Sequence, residues 1–122
     1  MDKTAIIIMI LIVFLRFIFP LIKNRNLISY KFLVELRNSG SKSILLDVRS
    51  RQEYKLGHIP GAKNIAHDKL PQAMVKGKKD TPVVVYCRSG LRAGRAKKAL
   101  ERAGYSQVYS FGGISRWKSG LE

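Results

Sequence analysis

The sequence predicts an α/β fold, a mostly parallel central sheet with helices on both faces, preceded by one transmembrane helix. Three observations carry this. Short apolar runs such as Ile44 to Val48 and Val83 to Tyr86 alternate with segments of helical periodicity, a pattern that suits parallel strands joined by crossover helices and covered on both sides. At 122 residues the chain holds one domain with a single core of ordinary size. The stretch from Ala5 to Ile22 is apolar almost throughout. The resulting division is a tail over 1–4, a span over 5–22, a linker over 23–26 and a domain over 27–122.

Taken as a helix, Ala5 to Ile22 is about 27 Å long, near the hydrocarbon thickness of a bilayer. About a dozen aliphatic and aromatic residues, at about −0.3 to −0.6 kcal/mol each, outweigh Arg16 at about 3 kcal/mol. Arg16 also lies off-centre and can snorkel to an interface. A cleavable signal peptide is the rival reading, but no small-x-small site follows, since Phe19-Pro20-Leu21-Ile22-Lys23 is bulky and then charged. Lys3 precedes the span, whereas Lys23, Arg25 and Lys31 follow it. The expectation is a single-pass membrane protein with its C-terminal domain in the cytoplasm, where an unpaired thiol stays reduced. The linker Lys23-Asn24-Arg25-Asn26 has no Gly/Ser spacer and would hold the domain at the lipid surface.

The domain opens with a helix from Ser29 to Asn38: Ser29 is the N-cap, Phe32, Leu33 and Leu36 form the buried stripe, and Gly40 stops it. Ile44 to Val48 is a buried strand. Ser50 and Glu53 have capping-box spacing, so a brief helix runs through Leu56 and ends at Gly57. Ile59 to Ala62 form a turn, and Lys63 to Ala66 a short strand. Leu70, Ala73, Met74 and Val75 suggest a helix, followed by a solvated loop at Gly77 to Asp80. Val83 to Tyr86 is the central strand and Leu91 to Ala103 a helix with Gly104 as its C-cap. Gln107 to Phe111 is the last strand, and Ile114 to Ser119 a terminal helix with Trp117 in the core.

The net charge of +15 suits acidic partners: anionic lipid, nucleic acid or small anions. The basic residues are scattered and no nucleic-acid motif accompanies them, so no nucleic-acid partner is expected. One cysteine excludes an internal disulfide and a cysteine-rich metal site, and His58 and His67 are too few for a zinc site. No cofactor is expected.

The chemistry centres on Cys87. It ends the central strand, and Cys87 to Arg92 turn through Ser89-Gly90 into a helix N-terminus. Strand, tight loop and helix start make an anion cradle. A thiol there, with Arg88 and Arg92 close by, is expected to ionise readily. In parallel sheets ligands bind beyond the carboxyl ends of the strands, where Cys87 and Asp47 both lie. A lone cysteine at a strand end is more often a small buried hydrophobe, but two arginines and a glycine are poor company for an inert core thiol.

Cys-Arg-Ser-Gly-Leu-Arg after a Val-rich strand resembles the active-site loop of the rhodanese (sulfurtransferase) family. Leu45-Leu46-Asp47-Val48-Arg49, Gly57-His58-Ile59-Pro60-Gly61-Ala62-Lys63-Asn64-Ile65, and Phe111-Gly112-Gly113-Ile114 with Trp117 resemble further motifs of that family, in order, over Leu27 to Glu122. One departure is Ala93, where the family often has Ser. The resemblance implies a rhodanese-like domain and sulfane-sulfur transfer. Cys87 would take the outer sulfur of a small anionic donor such as thiosulfate and pass it, as a persulfide, to a thiol or to cyanide. Arg88, Ser89, Gly90, Leu91 and Arg92 would form the substrate-binding loop. Asp47, Arg49 and His58 are candidate supports. Asp47 either braces a loop arginine or caps its own turn. Arg49 is expected to pair with Glu53, and His58 to be structural at its turn.

Two other classes stay open. Cysteine phosphatases and similarly built arsenate reductases also set a thiolate and an arginine around an oxyanion loop, with five residues between them. Here four intervene, and the fifth-residue spacing falls on Ala93. The non-enzymatic alternative is an interaction module on a membrane anchor.

Overall fold

The computed structural model describes residues 2–18, 26–40, 42–74 and 78–122. The chain runs α1 (Lys3–Val13), continued by a π-helical turn (Phe14–Ile18), then α2 (Tyr30–Asn38), β1 (Ile44–Asp47), α3 (Arg51–Lys55), β2 (Lys63–Asn64), 3-10 turns at His67–Lys69 and Gln72–Met74, β3 (Val83–Cys87), α4 (Leu91–Arg102), β4 (Val108–Gly113) and a 3-10 turn at Ile114–Arg116. The four strands form one parallel sheet in the order β2-β1-β3-β4. The expected α/β sheet is present.

Strand alternation divides the core. On one face Leu46, Val83, Val85 and Cys87 pack with Ala93, Ala96 and Leu100 of α4, and with Leu70 and Met74. On the other, Leu45, Val84, Tyr86 and Phe111 pack with Leu33 of α2, Ile59 and Ala62. The two-residue side-chain period of a strand thus sends Cys87 towards α4, and Tyr86 and Asp47 towards the opposite side.

Local chemistry sets the helix ends. Ser29 Oγ accepts the Phe32 N–H at 3.1 Å. Ser50 and Glu53 form the reciprocal capping box, with Glu53 N to Ser50 Oγ at 3.2 Å and Ser50 N to Glu53 Oε1 at 3.2 Å. Two expected helices are shorter than their patterns suggested. Leu70 to Val75 contains Pro71, which donates no backbone hydrogen bond, and only a 3-10 turn forms at Gln72–Met74; Val75 itself lies outside the described residues. Ile114 to Ser119 reduces to a 3-10 turn at Ile114–Arg116. Trp117 is half-buried rather than central, its ring 5.1 Å from that of Tyr30.

The expected span is not reproduced. Residues 3–18 are helical, α-helical to Val13 and π-helical from Phe14. Among the described residues no helix is long and apolar enough to cross a membrane. Residues 19–22 of the expected span and 23–25 of the expected linker lie outside the described set.

Candidate active site

Cys87 is the last residue of β3, and the loop from Arg88 to Gly90 carries the chain into α4. Gly90 is the N-cap of α4 at φ 101°, a left-handed conformation that glycine adopts without a Cβ penalty. Its N–H donates to Cys87 Sγ at 2.8 Å, and its carbonyl accepts the Gly94 N–H at 3.0 Å to start the helix. The loop therefore aims an amide at the sulfur.

The sulfur does not face solvent as expected. Cys87 is 0% exposed and belongs to the apolar cluster under α4. The cause is the strand itself: β3 is covered on both faces and buried from Val83 to Cys87, and register sends Cys87 to the α4 side. Arg88 and Ser89 are exposed above it, and Leu91 is exposed on the first turn of α4.

The arginines divide unequally. Arg88 is the exposed cation of the loop. Arg92 is bound by Glu53 in a two-pronged pair, Nη1 to Oε1 at 2.6 Å and Nη2 to Oε2 at 3.0 Å, which links α3 to the first turn of α4. The Arg92 hydrogen bonds, with those from Ser50, hold the Glu53 carboxyl down at about 2, against the opposing effect of burial. The same bond raises Arg92 above its ordinary value. Local spacing shows Glu53 as a capping residue and offers Arg49 as its partner; the structure gives it Arg92. The pairing with Arg92 spans 39 residues and left no local signal.

Asp47 and Arg49 pair with each other instead. Arg49 Nη2 reaches Asp47 Oδ2 at 2.6 Å, and its Nε and backbone N–H also donate to the carboxylate. Asp47 thus caps its own turn and braces Arg49, not a loop arginine, because β1 turns it to the sheet face away from Cys87. Arg49 also donates to the Gly57 carbonyl at 2.6 Å. Burial works against its charge, but the Asp47 hydrogen bonds raise it above its ordinary value. Tyr86 completes this buried group: its hydroxyl donates to Asp47 Oδ2 at 2.9 Å and accepts the Ile59 N–H at 3.0 Å. Burial pushes the phenol upwards, so it stays neutral. In sequence Tyr86 is one more residue of an apolar strand, and its β-branched neighbours give no sign of a polar role.

His58 packs against the short helix before its turn. Its ring stacks on Tyr54 with centroids 3.8 Å apart, and Nδ1 lies 3.0 Å from the Tyr54 carbonyl. Gly113 lets two backbones meet. A Cβ there would lie 2.6 Å from the Arg88 carbonyl oxygen and 3.6 Å from Ser89 Cα, so the bare backbone lets the cysteine loop settle against β4. Ala93, where a phosphatase-type loop would need its arginine, is fully buried. Among the described residues no cluster of His, Cys, Asp or Glu could hold a metal ion.

Residues 29–120 match the family described as Rhodanese-like domain. The YqhL protein of Bacillus subtilis, called uncharacterized, is 38% identical over 84 residues, covering 68% of this chain and 67% of its own. The thiosulfate sulfurtransferase GlpE of Ectopseudomonas mendocina is 33% identical over 86 residues, covering 70% of this chain and 77% of its own. The structure of the human single-domain sulfurtransferase TSTD1 superposes with a TM-score of 0.66 at 31% identity, covering 75% of this chain and 93% of its own.

Proposed function

This chain belongs to the rhodanese-like, single-domain sulfurtransferase family, and from that membership we propose that it moves a sulfane sulfur from an anionic donor such as thiosulfate to a thiol or cyanide through a Cys87 persulfide. The observation that supports this most is the Gly90 N–H held 2.8 Å from Cys87 Sγ at the end of the central strand. A preorganised amide stabilises negative charge on that sulfur and on the persulfide built from it.

The step balances simply. The Cys87 thiolate attacks the outer sulfur of thiosulfate, a new S–S bond forms, and sulfite leaves with the electron pair of the broken one. The acceptor thiolate or cyanide then attacks the outer persulfide sulfur, and Cys87 departs as thiolate. Arg88, exposed beside the thiol, meets the donor first; Arg92 stays with Glu53 and sets the pitch of the loop. Cys87 has no exposed surface, so the donor reaches Sγ only if its surroundings move.

Production of thiocyanate from thiosulfate and cyanide tests the reading, with Cys87→Ser as the inactive control. An aryl phosphate turned over in its place would favour the phosphatase reading. The burial of Cys87 favours a second reading, a non-catalytic interaction module. Absence of both reactions, with the chain folded, would leave that one standing.

Membrane attachment with the domain cytoplasmic is a separate part of the proposal. Its support is the helix over 3–18, whose large apolar residues from Ile6 to Ile18 are all exposed. A helix apolar on every side needs an apolar surrounding. Retention in the membrane fraction after carbonate washing, with protection from protease added outside intact cells, is the expected result. Release by carbonate would contradict it.

A further inference from the structure

The cysteine loop borders an open groove of about 1000 Å³ that sulfur transfer to a small molecule does not require. It is lined by Arg88 and Leu91 of the loop region, Arg95 and Lys98 of α4, Arg116 beyond β4, and Leu27. Lys97 and Glu101 also line it and pair with each other at 4.0 Å, so the one acid among the lining residues is already matched. Among the described residues, Arg88, Arg95 and Lys98 have no carboxylate partner. Leu27 is 38% exposed and Leu91 is 55% exposed. Unmatched cations beside exposed leucines, in a concave site, suit a ligand that is acidic and partly apolar.

Three kinds of polyanion fit the charge, and the lining separates them. It contains no aromatic side chain, so it offers no stacking platform for single-stranded nucleic acid. A bilayer meets a flat or protruding face rather than a groove. An acidic protein segment with a leucine-sized side chain matches both the cations and the apolar contacts.

The geometry points to a docking groove for an acidic, leucine-bearing segment of a partner protein that presents its own thiol to the Cys87 persulfide. This rests on the sulfurtransferase reading and names its acceptor class. The acceptor thiolate attacks the outer sulfur, the S–S bond to Cys87 breaks, and the partner leaves as the persulfide with no oxidant needed.

The test uses the full chain and a synthetic peptide of alternating Glu and Leu ending in Cys, beside its Gln-for-Glu counterpart and dithiothreitol. After thiosulfate loading, the acidic peptide should accept sulfur about tenfold faster than the neutral one at low salt, with the advantage fading as salt is added. Arg95→Glu with Lys98→Glu should abolish that advantage and leave transfer to dithiothreitol unchanged; Arg95→Gln with Lys98→Gln should lose part of it. Fluorescence anisotropy of the labelled peptide on the unloaded chain should show weakening by about the same factor. Equal rates for the two peptides, or an advantage that survives charge reversal, would overturn the proposal. So would a single-stranded RNA or phosphatidylglycerol vesicle that binds through Arg95 and Lys98 while the peptide does not bind. Failure of sulfur to reach even dithiothreitol would count against the sulfurtransferase reading itself, and the binding arm would still judge the groove.

Discussion

Gly113→Ala probes how the cysteine loop is held. The new Cβ would lie 2.6 Å from the Arg88 carbonyl oxygen and 3.4 Å from its carbon. Cβ contacts below 3.0 Å are essentially never found, so the carbonyl must retreat by at least about 0.4 Å. The obstacle is main chain, with no flexible side chain to swing aside. Gly113 itself has φ −99° and ψ 150°, a backbone that any residue adopts, so crowding is the whole effect. Overpacking of this kind costs about 1–3 kcal/mol. Pushing Arg88 away also shifts Gly90 relative to Cys87 Sγ, so persulfide formation should slow by about tenfold or more, as when one oxyanion-type donor is misplaced. Urea denaturation reads the stability and stopped-flow sulfite release reads the rate. Gly120→Ala is the control, since nothing lies within 4 Å of its Cβ, and it should be neutral within about 0.5 kcal/mol. A Gly113→Ala protein with unchanged stability and unchanged rate would refute the claim that this contact sets the loop.

Two further substitutions test the supports. Glu53→Gln removes the charge that holds Arg92 and should cost about 1–2 kcal/mol, allowing for partial exposure of both side chains. Because the folded Glu53 carboxyl sits near 2 and its ordinary value is 4.5, its stabilisation is complete above 4.5 and lost as pH falls towards 2. Wild type and Glu53→Gln should therefore converge in stability as acid is added, and a constant gap down to pH 2 would contradict the pairing. Tyr86→Phe strands the buried Ile59 N–H and removes one of the hydrogen bonds to Asp47 Oδ2, which keeps those from Arg49, for a loss of about 1–3 kcal/mol in urea denaturation. A loss below about 0.5 kcal/mol would mean that those groups find other partners.

Much of the fold was legible because it depends on near neighbours. Ser29 and the Ser50–Glu53 capping box work over three residues, and both appear as read. The burial of Cys87 follows from its place at the end of a strand that is apolar from Val83 to Tyr86 and covered on both faces, whereas the arginines beside it in sequence point to an exposed thiol. Pairings across the fold were not. Glu53 meets Arg92 at 39 residues' separation, and Tyr86 meets Asp47 at the same separation; neither distance leaves a trace in local spacing. Arg49 does not pair with Glu53 because it precedes the N-cap Ser50 and so lies outside the helix, where Asp47 is closer.

Intact-mass spectrometry of the purified chain after brief exposure to thiosulfate tests the persulfide most directly. The expected spectrum gains one sulfur atom, loses it on addition of cyanide, and shows no gain in Cys87→Ser. A wild-type mass that stays unchanged under saturating thiosulfate would contradict the mechanism.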